Sequence, residues 1–152
     1  MTTRPLILIT NDDGVHAPGI KHLWHALKEI ADIAVVAPST EQSAVSLSIT
    51  TRHPLKIEKI DWSFTEAQVW AVNGTPADCV KLALNVILPR PPLLIASGIN
   101  CGHNAGRNVL YSGTVAAAIE GVMHEIPSIA FSSAQYTSSS YKEAERYIPR
   151  VI

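Results

Sequence analysis

The apolar positions of this chain fall in short unbroken runs separated by helical patterns. Leu6 to Thr10 is continuous rather than alternating, as in a strand buried on both faces. It stops at Asn11-Asp12-Asp13-Gly14, a cluster of turn formers. Pro18 opens a helical pattern that runs to Ala31, with Leu23, Leu27 and Ile30 on its core face. Ile33 to Ala37 is a second buried run, closed by Pro38. Strand, turn, helix, strand spells a βαβ unit with a parallel pair.

The middle of the chain changes character. Ser39 to Thr51 is rich in Ser and Thr and has no helical period. Leu55 to Ile60 alternates apolar and charged positions, so it is expected as a half-exposed strand, and Gln68 to Val72 as another. Together they suggest a small, partly antiparallel insertion. The βα rhythm then resumes. Thr75-Pro76-Ala77-Asp78 is a helix start, and that helix is expected to reach about Leu88, before Pro89. Leu93 to Ser97 is a third buried strand, followed by a long polar loop from Gly98 to Tyr111. Ser112-Gly113-Thr114 leads into a helix from Val115 to about His124. Pro127 to Ser132 is a fourth strand, and Ser138 to Tyr147 begins a last helix.

This alternation predicts an α/β fold: three layers, with helices on both faces of a mostly parallel sheet. The 152 residues suit one domain. With 47% hydrophobic and 16% charged residues, a packed core is expected rather than disorder. Lys plus Arg number 12 and Asp plus Glu 13, a net charge of −1. That balance lacks the basic excess that nucleic acid or an anionic membrane would select. No apolar run approaches a membrane span, and Leu6 to Ile9 is too short for a signal-peptide core. Cys79 and Cys101 form no CxxC and no disulfide framework, which favours a cytoplasmic setting.

Ligands in such sheets bind at the carboxyl ends of the strands. Three polar clusters follow strands directly: Asn11-Asp12-Asp13, Ser39 to Ser43, and Asn100 to Asn108. Two adjacent carboxylates on a turning backbone repel unless a cation neutralises them. Oxygen donors favour a hard divalent ion such as Mg²⁺ or Mn²⁺. The Asn100 amide and the Ser43 hydroxyl are candidates to complete its shell without adding charge. Ser112-Gly113-Thr114 at a helix start is a candidate phosphate site. Blander readings stand beside these: Asp-Asp-Gly as an ordinary polar turn, Asn100 as an Asx turn, and Ser112 to Thr114 as a simple cap. His22 and His25 are a weaker pairing for zinc. Cys101 with His103 is a weaker nucleophile pair. Neither GxGxxG, GxxxxGK[ST] nor GxSxG is present. Trp24, Trp62 and Trp70 fit packing better than base stacking.

Taken together, Ile9-Thr-Asn-Asp-Asp-Gly14 with Ala17-Pro-Gly19, Val36-Ala-Pro38 with Gln42-Ser43, Asn73-Gly-Thr-Pro-Ala-Asp-Cys-Val80, Ser97-Gly-Ile-Asn-Cys-Gly-His-Asn-Ala-Gly106 and Tyr111-Ser-Gly-Thr-Val-Ala-Ala-Ala118 with Glu120-Gly121 resemble the SurE family, the stationary-phase survival nucleotidases. The resemblance spans Leu6 to about Ser133. It implies a Rossmann-like fold and a divalent-metal phosphomonoesterase acting on nucleoside 5′-monophosphates and, in many members, 3′-monophosphates. It implies Asp12, Asp13, Ser43 and Asn100 as metal ligands, with Asp12 or Asp13 taking a proton from water. Asn104 and Ser112, Gly113 and Thr114 would lie around the phosphate, with Asn11 supporting the acidic pair. Family members continue into a C-terminal arm used in homodimer and tetramer contacts. Residues 1–152 are thus expected as one SurE-like domain without that arm, either active or a nucleotide-binding module only.

Overall fold

The computed structural model describes residues 4–65, 67–135 and 138–152. Strand β1 (Leu6–Thr10) is buried at every position, as its unbroken apolar run requires. Helix α1 (Pro18–Leu27) follows, and then strand β2 (Asp32–Pro38), parallel to β1 in the register Ile7 to Ile33. Strands β3 (Ile57–Ile60) and β4 (Gln68–Val72) pair antiparallel, and β4 joins β2 in parallel. Helix α2 (Pro76–Leu82) widens into a π-helical turn over Ala83–Ile87. Strand β5 (Leu94–Cys101), helix α3 (Gly113–Met123), strand β6 (Ser128–Ser133) and helix α4 (Ser138–Val151) complete the chain.

The sheet order is β3-β4-β2-β1-β5-β6, with β3 alone antiparallel. The expected α/β architecture and the antiparallel element are both present. One apolar cluster joins Ile7, Ile9, Val35 and Ala96 to α1 and to Tyr141 and Ile148 of α4. A second joins Leu8, Val36 and Ile95 to Val80 of α2 and Ala117 of α3. The layers are therefore α1 and α4, the sheet, and α2 and α3. From β1 the chain builds outward through β2 to one edge, then returns to β5 on the other side. Between β1 and β5 lies the point where the winding reverses, the place where open α/β sheets form ligand crevices.

Several boundaries differ from those read off the sequence. Helix α1 ends at Leu27, and Ile30 is 43% exposed. Ala31, four residues after Leu27, takes the core position instead, and its N–H donates to the Leu27 carbonyl. The stretch from Gly98 is not loop: β5 runs on through Asn100 to Cys101. Its pairing with β6 slips between Ser97 and Asn100, so Gly98 marks a bulge rather than a break. Gly98 sits at φ +131°, and a Cβ there would meet the Phe131 carbonyl oxygen at 2.3 Å. The bulge puts Ile99 in the same cluster as Ala96, which strict alternation forbids. Within the remaining loop, Gly106–Leu110 forms a 3₁₀ turn. Helix α4 continues past Tyr147, with Pro149 inside it.

The Thr75 capping box forms as expected. The Asp78 N–H donates to Thr75 Oγ1 at 3.1 Å, and the Thr75 N–H to Asp78 Oδ2 at 2.9 Å. Asp78 also accepts the Thr50 N–H, and Thr75 Oγ1 donates to the Ser48 carbonyl. The Ser/Thr-rich segment, which has no regular structure of its own, is thereby anchored to α2. Among the described residues, no helix is long and apolar enough to cross a membrane.

Helix α1 touches the backbone of β5 at Gly19, where a Cβ would lie 1.9 Å from the Ile99 carbonyl oxygen. A methyl there has only main chain to displace. Gly19→Ala is expected to cost about 3 kcal/mol, read as a loss in urea midpoint at unchanged m-value.

Candidate active site

Asp12 and Asp13 follow β1 on a turn that Asn11 closes. The Asn11 side chain donates to the Gly14 carbonyl at 3.0 Å and accepts the Gly14 N–H at 3.2 Å. Both polar ends of Asn11 are spent inside the turn, so it supports the acidic pair and does not line the cavity. Gly14 itself sits at φ +102°, which favours glycine.

The two carboxylates have different surroundings. Asp12 is buried against the start of α3. Thr114 Oγ1 donates to its Oδ1 at 2.5 Å, and the Thr114 N–H also faces it. Gly113 makes this approach possible, since a Cβ there would lie 2.7 Å from Asp12 Cβ. Burial nonetheless dominates and raises the Asp12 carboxyl above its ordinary range, against the Thr114 hydrogen bonds. Asp13 is half-buried and accepts the Cys101 N–H at 3.2 Å. Burial first, then the Asp12 charge, push its carboxyl up to about 6.

These residues border an open cavity of about 650 Å³, lined also by Glu41, Ser43, Asn100, Asn104 and Ser112. The Asp12 carbonyl accepts the Gln42 N–H at 2.7 Å, which draws the segment after β2 over the pair. Ser43 Oγ donates to Glu41 Oε1. Asn100 Nδ2 donates to the Gly102 carbonyl at 2.7 Å, and its Oδ1 has no hydrogen-bond donor among the described residues. Asn104 Nδ2 donates to Ser132 Oγ at 2.9 Å. Ser112 caps α3 by accepting the Val115 N–H. Asp12, Asp13, Ser43, Asn100, Asn104 and Ser112 thus share one cavity. Gly113 and Thr114 lie beneath it, and the Thr114 hydroxyl serves Asp12. The anion seated on this helix start is the protein's own carboxylate.

The donor set suits a hard cation. Burial raises both carboxyls, the Asp12 charge adds to the rise at Asp13, no described Lys or Arg lines the cavity, and an amide oxygen and a hydroxyl stand beside them. Among the described residues, no three His, Cys, Asp or Glu side chains converge to hold an ion. The neutral oxygens of Asn100 and Ser43 line the same cavity as the acidic pair. His22 and His25 do not converge: His22 pairs with Glu145, and His25 stacks on Phe64. Glu41, Asn108 and Tyr111 also line the cavity without having stood out in the sequence. Glu41 and Asn108 fall within the polar clusters Ser39 to Ser43 and Asn100 to Asn108, and Tyr111 opens the last motif, which was the signal available.

A family model, Survival protein SurE, matches residues 7–152. This chain belongs to the SurE family. The 5'-nucleotidase SurE of Protochlamydia amoebophila (strain UWE25) is 64% identical over 152 residues, which cover 100% of this chain and 58% of that protein. The 5'-nucleotidase SurE of Heliobacterium modesticaldum (strain ATCC 51547 / Ice1) is 54% identical over 138 residues, 91% of this chain and 51% of that protein. The crystal structure of SurE from Aquifex aeolicus matches with a TM-score of 0.86 at 43% identity, covering 97% of this chain and 58% of that one. The chain spans about half the length of the curated SurE relatives it matches.

The raised carboxyl has a measurable sign in this SurE chain. Between the ordinary 3.8 and about 6, the ion-free fold holds more protons than the unfolded chain. Its stability therefore falls as pH rises through that window. A cation that needs Asp13 ionised should raise the melting temperature at pH 7.5 and lose that effect by about pH 5. A Mn²⁺-induced shift independent of pH would contradict this account of Asp13.

Proposed function

We propose that this chain carries the site of a divalent-metal-dependent phosphomonoesterase that releases phosphate from nucleoside 5′-monophosphates, with 3′-monophosphates as further substrates. The observation that carries the reading is the convergence of Asp12, Asp13, Asn100 and Ser43 on one cavity beside the start of α3. The names of the SurE relatives support the nucleotide as substrate.

Asp12, Asp13, the Asn100 amide oxygen and the Ser43 hydroxyl would hold a single Mg²⁺ or Mn²⁺. Bound there, a hard cation supplies Lewis acidity toward a phosphoryl oxygen and toward water. Asp12 is fixed by Thr114 and the helix start, so its role is to hold position and charge. Asp13 is less buried than Asp12, which leaves it the better placed of the two to accept a proton from the attacking water. The Ser112 hydroxyl is occupied as a cap, so α3 acts on the phosphate side through the field of its N-terminus. Asn104, half-buried on the cavity wall, offers an amide to a phosphoryl oxygen.

Asp12→Asn and Asp13→Asn should each lower kcat/KM for AMP on the order of 10³-fold while preserving the circular dichroism spectrum. EDTA should abolish phosphate release, and Mg²⁺ or Mn²⁺ should restore it. A panel of 5′- and 3′-monophosphates reads base and sugar preference. Full activity in either variant would refute the assignment. AMP binding without phosphate release would leave a nucleotide-binding module in place of the hydrolase.

A further inference from the structure

The segment after β2 is held against the acidic turn. The Val15 N–H donates to the Pro38 carbonyl at 2.8 Å, and the Gln42 N–H to the Asp12 carbonyl at 2.7 Å. Further on, Ser46 is tied to the loop before α3. Its N–H donates to the Tyr111 carbonyl at 3.0 Å, and its hydroxyl to the Leu110 carbonyl at 2.7 Å. Ser43 lies between these two anchors, on a stretch where Ala44 and Ser46 take φ of +55° and +54°. Glu41 and Ser43 line the same cavity as Asp12, Asp13 and Asn100. Ser43 Oγ donates to Glu41 Oε1, and among the described residues this is the one hydrogen bond that the Ser43 hydroxyl makes. Glu41 is not placed as a third acidic ligand, because no three His, Cys, Asp or Glu side chains converge among the described residues.

We propose that Glu41 is a positioning residue for Ser43, accepting the hydroxyl hydrogen so that the Ser43 oxygen turns its lone pairs toward an ion held by Asp12 and Asp13. The proposal rests on the reading of Ser43 as an ion ligand. A serine hydroxyl carries one hydrogen and two lone pairs. As a neutral ligand it can meet a cation only with that hydrogen directed elsewhere, and Glu41 supplies an anionic acceptor two residues away. The hydrogen bond also sets negative charge behind the oxygen, which makes it a better donor to a hard cation. The backbone anchors at Gln42 and Ser46 fix where Ser43 stands, and the carboxylate fixes which way its hydroxyl turns. Partners that orient metal ligands in this way commonly change metal affinity by about 10–100-fold when mutated.

The test is Mn²⁺ binding by calorimetry to the metal-free full chain, with melting temperature measured on the same samples. The variants are Glu41→Ala, Glu41→Gln, Ser43→Ala and the double variant Glu41→Ala with Ser43→Ala. Glu41 and Ser43 are both exposed, so each variant should keep the metal-free melting temperature. Glu41→Ala should weaken Mn²⁺ about 10-fold; wild-type affinity there overturns the proposal. Glu41→Gln keeps an acceptor oxygen and should stay near wild type. Glu41 also adds negative charge beside the aspartates, and glutamine removes that charge. A Glu41→Gln variant as weak as Glu41→Ala would therefore show an effect of charge rather than of orientation, and it too overturns the proposal. In the Ser43→Ala background, Glu41→Ala should change Mn²⁺ affinity little, because the hydroxyl to be turned is gone. An undiminished loss in the double variant counts against the positioning role in the same way. Ser43→Ala separates the two ideas. If it binds Mn²⁺ like wild type, the reading of Ser43 as a ligand falls; if it weakens Mn²⁺ while Glu41→Ala does not, only the positioning role falls.

Discussion

Two carboxylates on consecutive residues, at the end of a strand buried along its whole length, are the constraint from which the rest of this site follows. Burial and neighbouring negative charge, Glu41 at Asp12 and chiefly Asp12 at Asp13, act in the same direction, and both carboxyls are pushed above their ordinary range. Left alone, the pair would protonate or swing toward solvent. The fold counters both by giving each carboxylate a donor from a distant part of the chain. Thr114 reaches Asp12 from the start of α3, and Cys101 reaches Asp13 from the end of β5. The fold thereby keeps the charge in place, and a cation is the partner best able to compensate it.

The same constraint explains features that look unrelated. Gly113 has no side chain because Asp12 occupies that space. Gly98 stands at positive φ because β5 needs one additional residue to bring Asn100 and the Cys101 N–H to the rim. Gly19 lets α1 close onto the backbone of Ile99, behind the bulge. Each glycine forgoes chain entropy in the unfolded state. Each does so where two backbone segments, or a backbone and the acidic pair, must come within a methyl's width.

What the sequence disclosed and what it withheld divide along the range of the signals. Leu6 to Thr10, the Asp12-Asp13-Gly14 turn and the Thr75-Pro76-Asp78 cap were readable because their causes lie within a few residues. The antiparallel β3–β4 pair was readable from alternation. Gly98 misled because bulge and break look alike until the Phe131 carbonyl of the neighbouring strand is placed. Ile30 misled because the helix ends at Leu27, and the next buried position is set by the turn that follows. The candidate ligands Asp12, Asp13, Ser43 and Asn100 were named from the chain and from a family resemblance, and they face one cavity. The direction of the Thr114 hydroxyl toward Asp12 and the reach of the Cys101 N–H to Asp13 are contacts across the fold, with no local pattern to announce them.

A division of labour emerges between the two helical layers. The α2 and α3 side supplies what touches the charge: the Thr114 donors, the α3 dipole and, through the α2 cap, the anchor for the segment that carries Ser43. No described residue of α1 or α4 lines the cavity. This side holds the sheet from behind, through Gly19 against Ile99 and through Tyr141 and Ile148 in the apolar cluster beneath it. Sites built this way separate chemistry from support, because a donor can hold an ion only as steadily as the backbone beneath it is held. All the donors named for the ion and the phosphate lie between Asp12 and Thr114, whereas α4, which packs with α1 against the sheet, comes after them all. The supporting layer is thus drawn from both ends of the chain, α1 just after the acidic turn and α4 after the last donor, and it meets this end of the sheet through β5.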